Sequence, residues 1–298
     1  MEIAVTAPSG NVGRFLVGHL VRAGVRPRLL SRRPERPRTT WGDLVDAREV
    51  DLRDAAAVTE ATRGVDALFL VVPPGEADDP VAAYAEVGDI VAAAVAENRI
   101  PRTVLQSSVG AELREGAGEI DGLARVEEAL DRVVAKDAGL AVTHLRCGYF
   151  FSNLLFELDG IRSGTVAVLL PTGKPFAWVA PADIAAVAAS LLLRADWSGR
   201  RVQAVHGPQD LSWDDVLAVV GDVLGRTVTA HRVADDDMRA TLAGAGMSPA
   251  QVEAIMGMST GLREGFVPEQ PRTPVTTTDT TLGAWAWAEL RPILEATG

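Results

Sequence analysis

A chain of 298 residues with 47% hydrophobic and 23% charged content has the composition of a globular protein, with enough apolar material for one large or two medium domains. Its formal net charge of −11 leaves no basic face to neutralise a nucleic-acid backbone or to hold an anionic membrane. The lone cysteine, Cys147, excludes an internal disulfide, and with no Cys/His cluster at ligand spacing no metal is expected.

Short apolar runs alternate with helical patterns from the start. The runs are "EIAVTA", "RPRLLS", "AREVDL", "DALFLVV", "RTVLQSS" and "AVTHLR". Between them lie "VGRFLVGHLVRAG", "DAAAVTEATRG", "VAAYAEVGDIVAAAVAEN" and "LARVEEALDRVVAKDAG". Strands alternating with crossover helices predict a parallel sheet, and runs apolar throughout suit strands covered on both faces. In the first helix Val12, Leu16 and Leu20 form a stripe that Val17 and Val21 widen, and Gly24 ends it. The fold class is therefore α/β, a Rossmann-type doubly wound parallel sheet over residues 1–150.

"PADIAAVAASLLLRA" and "RRVQAVHG" read as a further buried helix and strand, so the sheet is expected to continue through 179–207. Residues 151–178 and 208–298 read as a smaller C-terminal substrate lobe over the carboxyl ends of the strands. The longest apolar run, "IAAVAASLLL", is roughly half a membrane span. With a start that has no signal-peptide pattern, the sequence reads as cytoplasmic. A homodimer is compatible with the pattern.

Between the first strand and first helix stands Thr6-Ala7-Pro8-Ser9-Gly10-Asn11-Val12-Gly13, nearly bare of side chains. Gly10 lets a pyrophosphate approach the backbone, and Gly13 lets the helix sit close on the strand. The helix start adds unpaired N–H groups and partial positive charge. The pattern gains weight from its place after a strand and before a helix. A dinucleotide is expected against Thr6, Ala7, Ser9, Gly10, Asn11 and Val12. The end of the second strand selects which one. An acid there would hold the 2′-hydroxyl of NAD, but the chain reads Ser31-Arg32-Arg33-Pro34, which favours the 2′-phosphate of NADP. Asp51 and Leu52 are expected near the adenine, and Val71, Val72 and Pro73 along the middle of the dinucleotide.

With these residues in place, the sequence resembles the NmrA-like family of atypical short-chain dehydrogenases/reductases over nearly its whole length. The resemblance rests on "VTAPSGNVGRFLV", "GVDALFLVVPP", "RTVLQSSVGA", "ARVEEAL…GLAVTHLRCGYFFSNLL" and "PADIAAVAA". It implies the fold and NAD(P) binding. It leaves activity open, because the family holds NADPH-dependent quinone reductases, other small-molecule reductases and redox-sensing regulators without catalysis.

Typical short-chain reductases protonate the nascent alkoxide with a Tyr whose pKa a Lys four residues later lowers. Here the tyrosines are Tyr84 and Tyr149, followed at that spacing by Gly88 and Asn153. The aligned positions hold Ile120 and Ala124, and the serine end alone survives, as Ser107 and Ser108. A ketone needs an acid, whereas a quinone yields an aryloxide that solvent can protonate and an iminium carbon needs no proton. The sequence thus fits NADPH-dependent reduction of a small quinone-like or otherwise activated acceptor, with Ser107 and Tyr149 as catalytic candidates and Ser107 also as a cofactor contact near the nicotinamide. Gly110, Tyr149, Phe150 and Asn153 are the substrate-binding candidates, an aromatic shelf for a planar molecule. Core packing by these aromatics, and helix capping by Asn153, are the alternatives. His206 is a weaker site candidate and His144 reads as structural. Met238, Met247, Met256 and Met258 read either as a lid or as helix packing. The rival function is a non-catalytic NADP(H)-binding redox sensor that contacts a protein partner through its C-terminal lobe.

Overall fold

The structure, a computed structural model, describes residues 1–73 and 77–296; Pro74, which closes one of the quoted motifs, lies outside them. Strand β1 (Ile3–Thr6) runs into helix α1 (Gly13–Arg22), followed by β2 (Arg28–Ser31), α2 (Glu35–Trp41), β3 (Asp46–Glu49), α3 (Ala55–Ala61) and β4 (Ala67–Leu70). Then come α4 (Pro80–Glu97), β5 (Arg102–Ser108), α5 (Glu119–Val134), β6 (Ala141–Cys147) and the two-residue β7 (Tyr149–Phe150). The chain continues through α6 (Leu158–Ser163), β8 (Thr165–Val168), β9 (Phe176–Val179), α7 (Pro181–Leu192) and β10 (Gly199–Val205). It ends with β11 (Asp210–Leu211), α8 (Trp213–Leu224), β12 (Thr229–Arg232), α9 (Asp235–Gly244), α10 (Pro249–Thr260), α11 (Leu282–Trp285) and α12 (Arg291–Ala296).

The main sheet has seven parallel strands in the order β10-β6-β5-β4-β1-β2-β3. The predicted runs are its strands, and "RRVQAVHG" adds β10 beside β6. β1 has β2 on one side and β4 on the other, so the strand order reverses there and opens a crevice at the carboxyl ends. Alternate residues of each strand face opposite layers. Ile3, Val5, Phe69 and Val104 pack under α1 and α7, while Ala4, Leu68, Leu70 and Leu105 pack under α3, α4 and α5. The result is two buried apolar layers that hold the crevice rim rigid.

The segments that fall outside this sheet build a third core from Phe151, Trp178, Trp213, Leu217, Trp285 and their neighbours. Two small sheets, β11-β9-β7 and β12-β8, frame it. Helix α8 starts on a capping box between Ser212 and Asp215, and α10 on one between Ser248 and Gln251. The Pro/Thr-rich segment after α10 forms no helix. It runs along β10, where His206 N–H donates to the Thr276 carbonyl and Thr278 N–H to the His206 carbonyl, both at 2.8 Å. Gln270 adds bonds to the backbone of Ala204 and Val202. The outer edge of the main sheet is thereby covered.

Candidate active site

The turn after β1 is built as a cradle. Ala7 takes φ +47°, a left-handed conformation that normally falls to glycine, and its carbonyl accepts from Gly10 N–H at 3.0 Å. That carbonyl then lies against Gly13, where a Cβ would come within 2.2 Å of it. Alanine at the first position therefore serves in place of glycine without opening the turn. Ser9, Gly10 and Asn11 are exposed, while Pro8 and Val12 are buried and anchor the turn. Thr6 is only 1% exposed. Its hydroxyl donates to the Val71 carbonyl at 2.9 Å and accepts from Val71 N–H at 2.7 Å, so its side chain ties β1 to β4 at the crevice.

At the end of β2, Arg32 and Arg33 are exposed, and neither guanidinium has a partner among the described residues. Arg33 N–H donates to the Ser31 hydroxyl, which shapes that turn. Asp51 is exposed after β3, Leu52 packs partly on the α3–α5 side, Val72 is buried and Pro73 is exposed. A dinucleotide phosphate fits this surface: a turn in which Gly13 has no room for a Cβ, a helix start behind it, and two unpaired cations beyond it. Ser9–Val12, Arg32, Arg33 and Val71–Pro73 are the residues that could hold such a cofactor.

A buried polar cluster is built by β5, β6 and α5. Ser107 is 3% exposed, and its hydroxyl donates to Glu127 Oε1 at 2.7 Å. Glu127 is wholly buried and also accepts from Arg146 Nε at 3.1 Å, Arg146 Nη2 at 2.8 Å and Arg114 Nη1 at 2.9 Å. Burial works against its charge, but the hydrogen bonds and charge of Arg146, with His144 nearby, outweigh it and hold the carboxyl below the usual range. Arg146 reaches further, to Glu269 and Glu112. Glu112 in turn accepts from Gly110 N–H at 2.8 Å and Glu269 N–H at 3.0 Å. One buried arginine thus joins β6, α5, the loop after β5 and the C-terminal segment.

On α5, Ile120 and Ala124 are 7% and 0% exposed. They form a small apolar cluster with Ala111 and Ala117, onto which Met258 and Leu262 pack. Gly110, at φ +100°, abuts the Leu262 side chain. Lys174 Nζ fixes that cover by donating to the carbonyls of Leu262, at 2.7 Å, and of Arg263. Met256 is buried and Met258 joins the apolar cluster, so these two methionines pack a helix.

Tyr149 and Phe150 point opposite ways along β7. Phe150 packs on the main core, while Tyr149 is 38% exposed and edges onto Trp178, Phe176 and Trp213 at centroid distances of 4.6, 5.6 and 6.1 Å. Burial of its phenol pushes the pKa up to about 12, against the opposing hydrogen bond to Asn153. Asn153 lies inside a 3-10 turn, and α6 begins behind Glu157, so Asn153 does not cap that helix. His206 is buried with Nε2 directed at the Gln270 carbonyl, and His144 Nε2 contacts Asp131 at 2.7 Å; both serve structure. Burial raises the Cys147 thiol, which is inert packing. Glu127, Arg146, Phe176, Trp178 and Trp213 are residues the sequence reading passed over.

Residues 8–195 match the model of a family described as NAD(P)H-binding. A reductase of (4-alkanoyl-5-oxo-2,5-dihydrofuran-3-yl)methyl phosphate from Streptomyces griseus is 35% identical over 271 residues, 89% of this chain and 90% of that protein. An NAD(P)H azoreductase from Xenophilus azovorans is 27% identical over 256 residues, 85% of this chain and 84% of its own. The NADPH-dependent quinone oxidoreductase of Escherichia coli, solved with NADPH, shares the fold at TM-score 0.78 and 22% identity, covering 97% of this chain and 99% of that one. The glycine cradle, the strand order and these matches agree: the chain belongs to the NAD(P)H-binding, NmrA-like group of atypical short-chain dehydrogenases/reductases.

Proposed function

We propose that the protein is an NADPH-dependent reductase of a small planar acceptor whose reduced form is a delocalised anion or needs no proton at all. The observation that carries this is the apolar filling of the acid positions: Ile120 and Ala124 are buried beneath Met258 and Leu262 and hold no proton donor. The bound reduced nicotinamide would supply the hydride. The chain's own part is to position, to exclude water and to orient hydrogen bonds. Ser9–Val12 would hold the diphosphate and Arg32 and Arg33 the 2′-phosphate. Tyr149, backed by Phe176, Trp178 and Trp213, offers an aromatic edge and a protonated phenol to the acceptor.

The substrates for which the relatives are named support this choice of class. A quinone gains hydride as an aryloxide. The dihydrofuranone carries a ring double bond conjugated to two carbonyls, so hydride at its β-carbon gives an enolate spread over both. Neither anion needs an acid within the site. An unactivated ketone does.

The test is NADPH oxidation by purified protein against a panel of quinones, doubly activated enones, azo compounds and simple ketones. Turnover with an activated acceptor and none with a simple ketone is expected. Turnover of simple ketones would overturn the reading. No turnover at all, with tighter binding of NADP+ than of NADPH, would favour the sensor.

A further inference from the structure

We infer that Glu127 is a positioning residue that fixes the polarity of Ser107, so that Ser107 presents acceptor lone pairs, and not its proton, to the crevice. This rests on the dinucleotide reading of the site. The geometry carries it. Glu127 is wholly buried, two nitrogens of Arg146 and one of Arg114 converge on its oxygens, and Oε1 faces the Ser107 hydroxyl at 2.7 Å. An ionised carboxylate has no proton to give, so the hydroxyl must donate to it. The Ser107 oxygen then has only lone pairs left, with no other partner among the described residues.

Ile120, Ala124 and Glu127 fall on one face of α5, at helical spacing. A hydroxyl with an acid and base pair on that face would serve proton transfer. Here the two upper positions are apolar and the third accepts the hydrogen bond that the serine hydroxyl donates. Ser107 is left to bind a hydrogen-bond donor. That donor is an N–H or O–H, either the carboxamide N–H of the cofactor or a group on the acceptor.

Fluorescence titration of NADPH, without acceptor, separates the sources. Ser107→Ala is expected to weaken NADPH binding by about three- to tenfold, the loss of one neutral hydrogen bond. The 3-acetylpyridine analogue of the reduced cofactor, which lacks the carboxamide N–H, should bind the variant and the parent alike. If the donor sits on the acceptor, NADPH binding is unchanged and the acceptor KM rises instead, with the kcat pH profile kept. Unchanged NADPH binding and unchanged KM would overturn the proposal. So would a pH limb of kcat that vanishes with the serine. Binding is read without turnover, so a failure of the reductase reading is distinguishable from a failure of this one.

Glu127→Gln tests the positioning itself. Oε2 receives two guanidinium N–H groups and Oε1 only one, so the amide NH2 takes the Oε1 place, gives up the Arg146 Nε bond, and turns the serine proton towards the crevice. The expected loss of affinity equals that of Ser107→Ala, and the double variant loses no more than either single one. Losses that add would mean that Glu127 acts only through the fold, and would overturn the positioning role. Should the Gln variant not fold, Glu127→Asp replaces it. That change keeps the charge but withdraws the carboxylate from Ser107, and the same comparison in the Ser107→Ala background decides.

Discussion

A Cβ on Gly13 would lie 2.2 Å from the carbonyl oxygen of Ala7, and the same oxygen accepts from Gly10 N–H. The turn is therefore closed on itself by backbone, leaving its outward N–H groups in one fixed array. Gly13→Ala forces Ala7 and Pro8 outward and spoils that array. It is expected to weaken NADPH binding by roughly tenfold or more and to cost about 1–3 kcal/mol of stability. Titration and urea unfolding read the two effects. Unaltered affinity would mean that the cradle does not hold the cofactor.

The guanidinium groups of Arg32 and Arg33 have no protein partner among the described residues, so their charge is available to a ligand. Replacing both by alanine should raise the Kd for NADPH by roughly tenfold, the low end for charge-assisted bonds at an exposed place. The Kd for NADH should hardly move. A matching loss for NADH would mean that the arginines act on the turn rather than on a 2′-phosphate.

How far the sequence carried these conclusions depends on what each feature leaves in the pattern. The alternation of apolar runs and helices shows the main sheet, since each crossover writes its own period. Thr6 to Gly13 show the cradle because a close backbone approach demands small residues. Glu127 left a weaker trace. It sits beside Glu128 in an amphipathic helix, where acids are ordinarily solvated, and only its phase with Ile120 and Ala124, together with an arginine in the apolar run "AVTHLRC", hinted at a buried pair. Tyr149 was visible, but Phe176, Trp178 and Trp213 come from other stretches and meet it only through the small sheet. The covering of β10 by Gln270 and Thr276 has no period at all.

The buried carboxylate gives the fold an acid limit. The Glu127 carboxyl lies below its ordinary value in the folded state, so its pairing stabilises above the ordinary carboxylate range and is lost as pH falls through the lowered value. Asp131, bonded to His144 and Arg200, has a lowered pKa too and adds in the same direction. Stability should fall as pH drops below about 4. Glu127→Gln should be less stable at neutral pH by about 3 kcal/mol, the cost of leaving Arg146 under-paired, and should lose stability less steeply in acid. Parallel acid-unfolding curves for the two proteins would refute this.

Tyr149 is expected to stay protonated throughout the working range, because burial places its phenol near 12. It can donate a hydrogen bond but cannot produce a pH limb near neutrality. Tyr149→Phe keeps the ring against Trp178 and should lower kcat/KM for the acceptor about three- to tenfold, leaving NADPH affinity in place. The pH profile between 6 and 10 should keep its shape. A limb lost with the hydroxyl would make Tyr149 a titrating acid after all.

Introducing a Tyr–Lys pair at 120 and 124 should not produce ketone reduction. Ala124 has no exposed surface, and Ile120 is covered by Met258 and Leu262. A lysine at 124 would bury an ammonium among Ala111, Ala117 and those side chains, one turn from a Glu127 carboxylate already engaged by Ser107, Arg114 and Arg146. A tyrosine at 120 would press on Gly110 and Leu262, already within contact of each other. The double variant Ile120→Tyr, Ala124→Lys is expected to lose several kcal/mol, on the order of 3 or more, and to reduce no simple ketone. Thermal melts and NADPH oxidation with a plain ketone check both halves. A stable double variant that reduces the ketone would show that the site lacks only its acid. Inactivity in a variant that stays folded would agree with a site in which the cover built by Met258 and Leu262 leaves no room for a working acid pair.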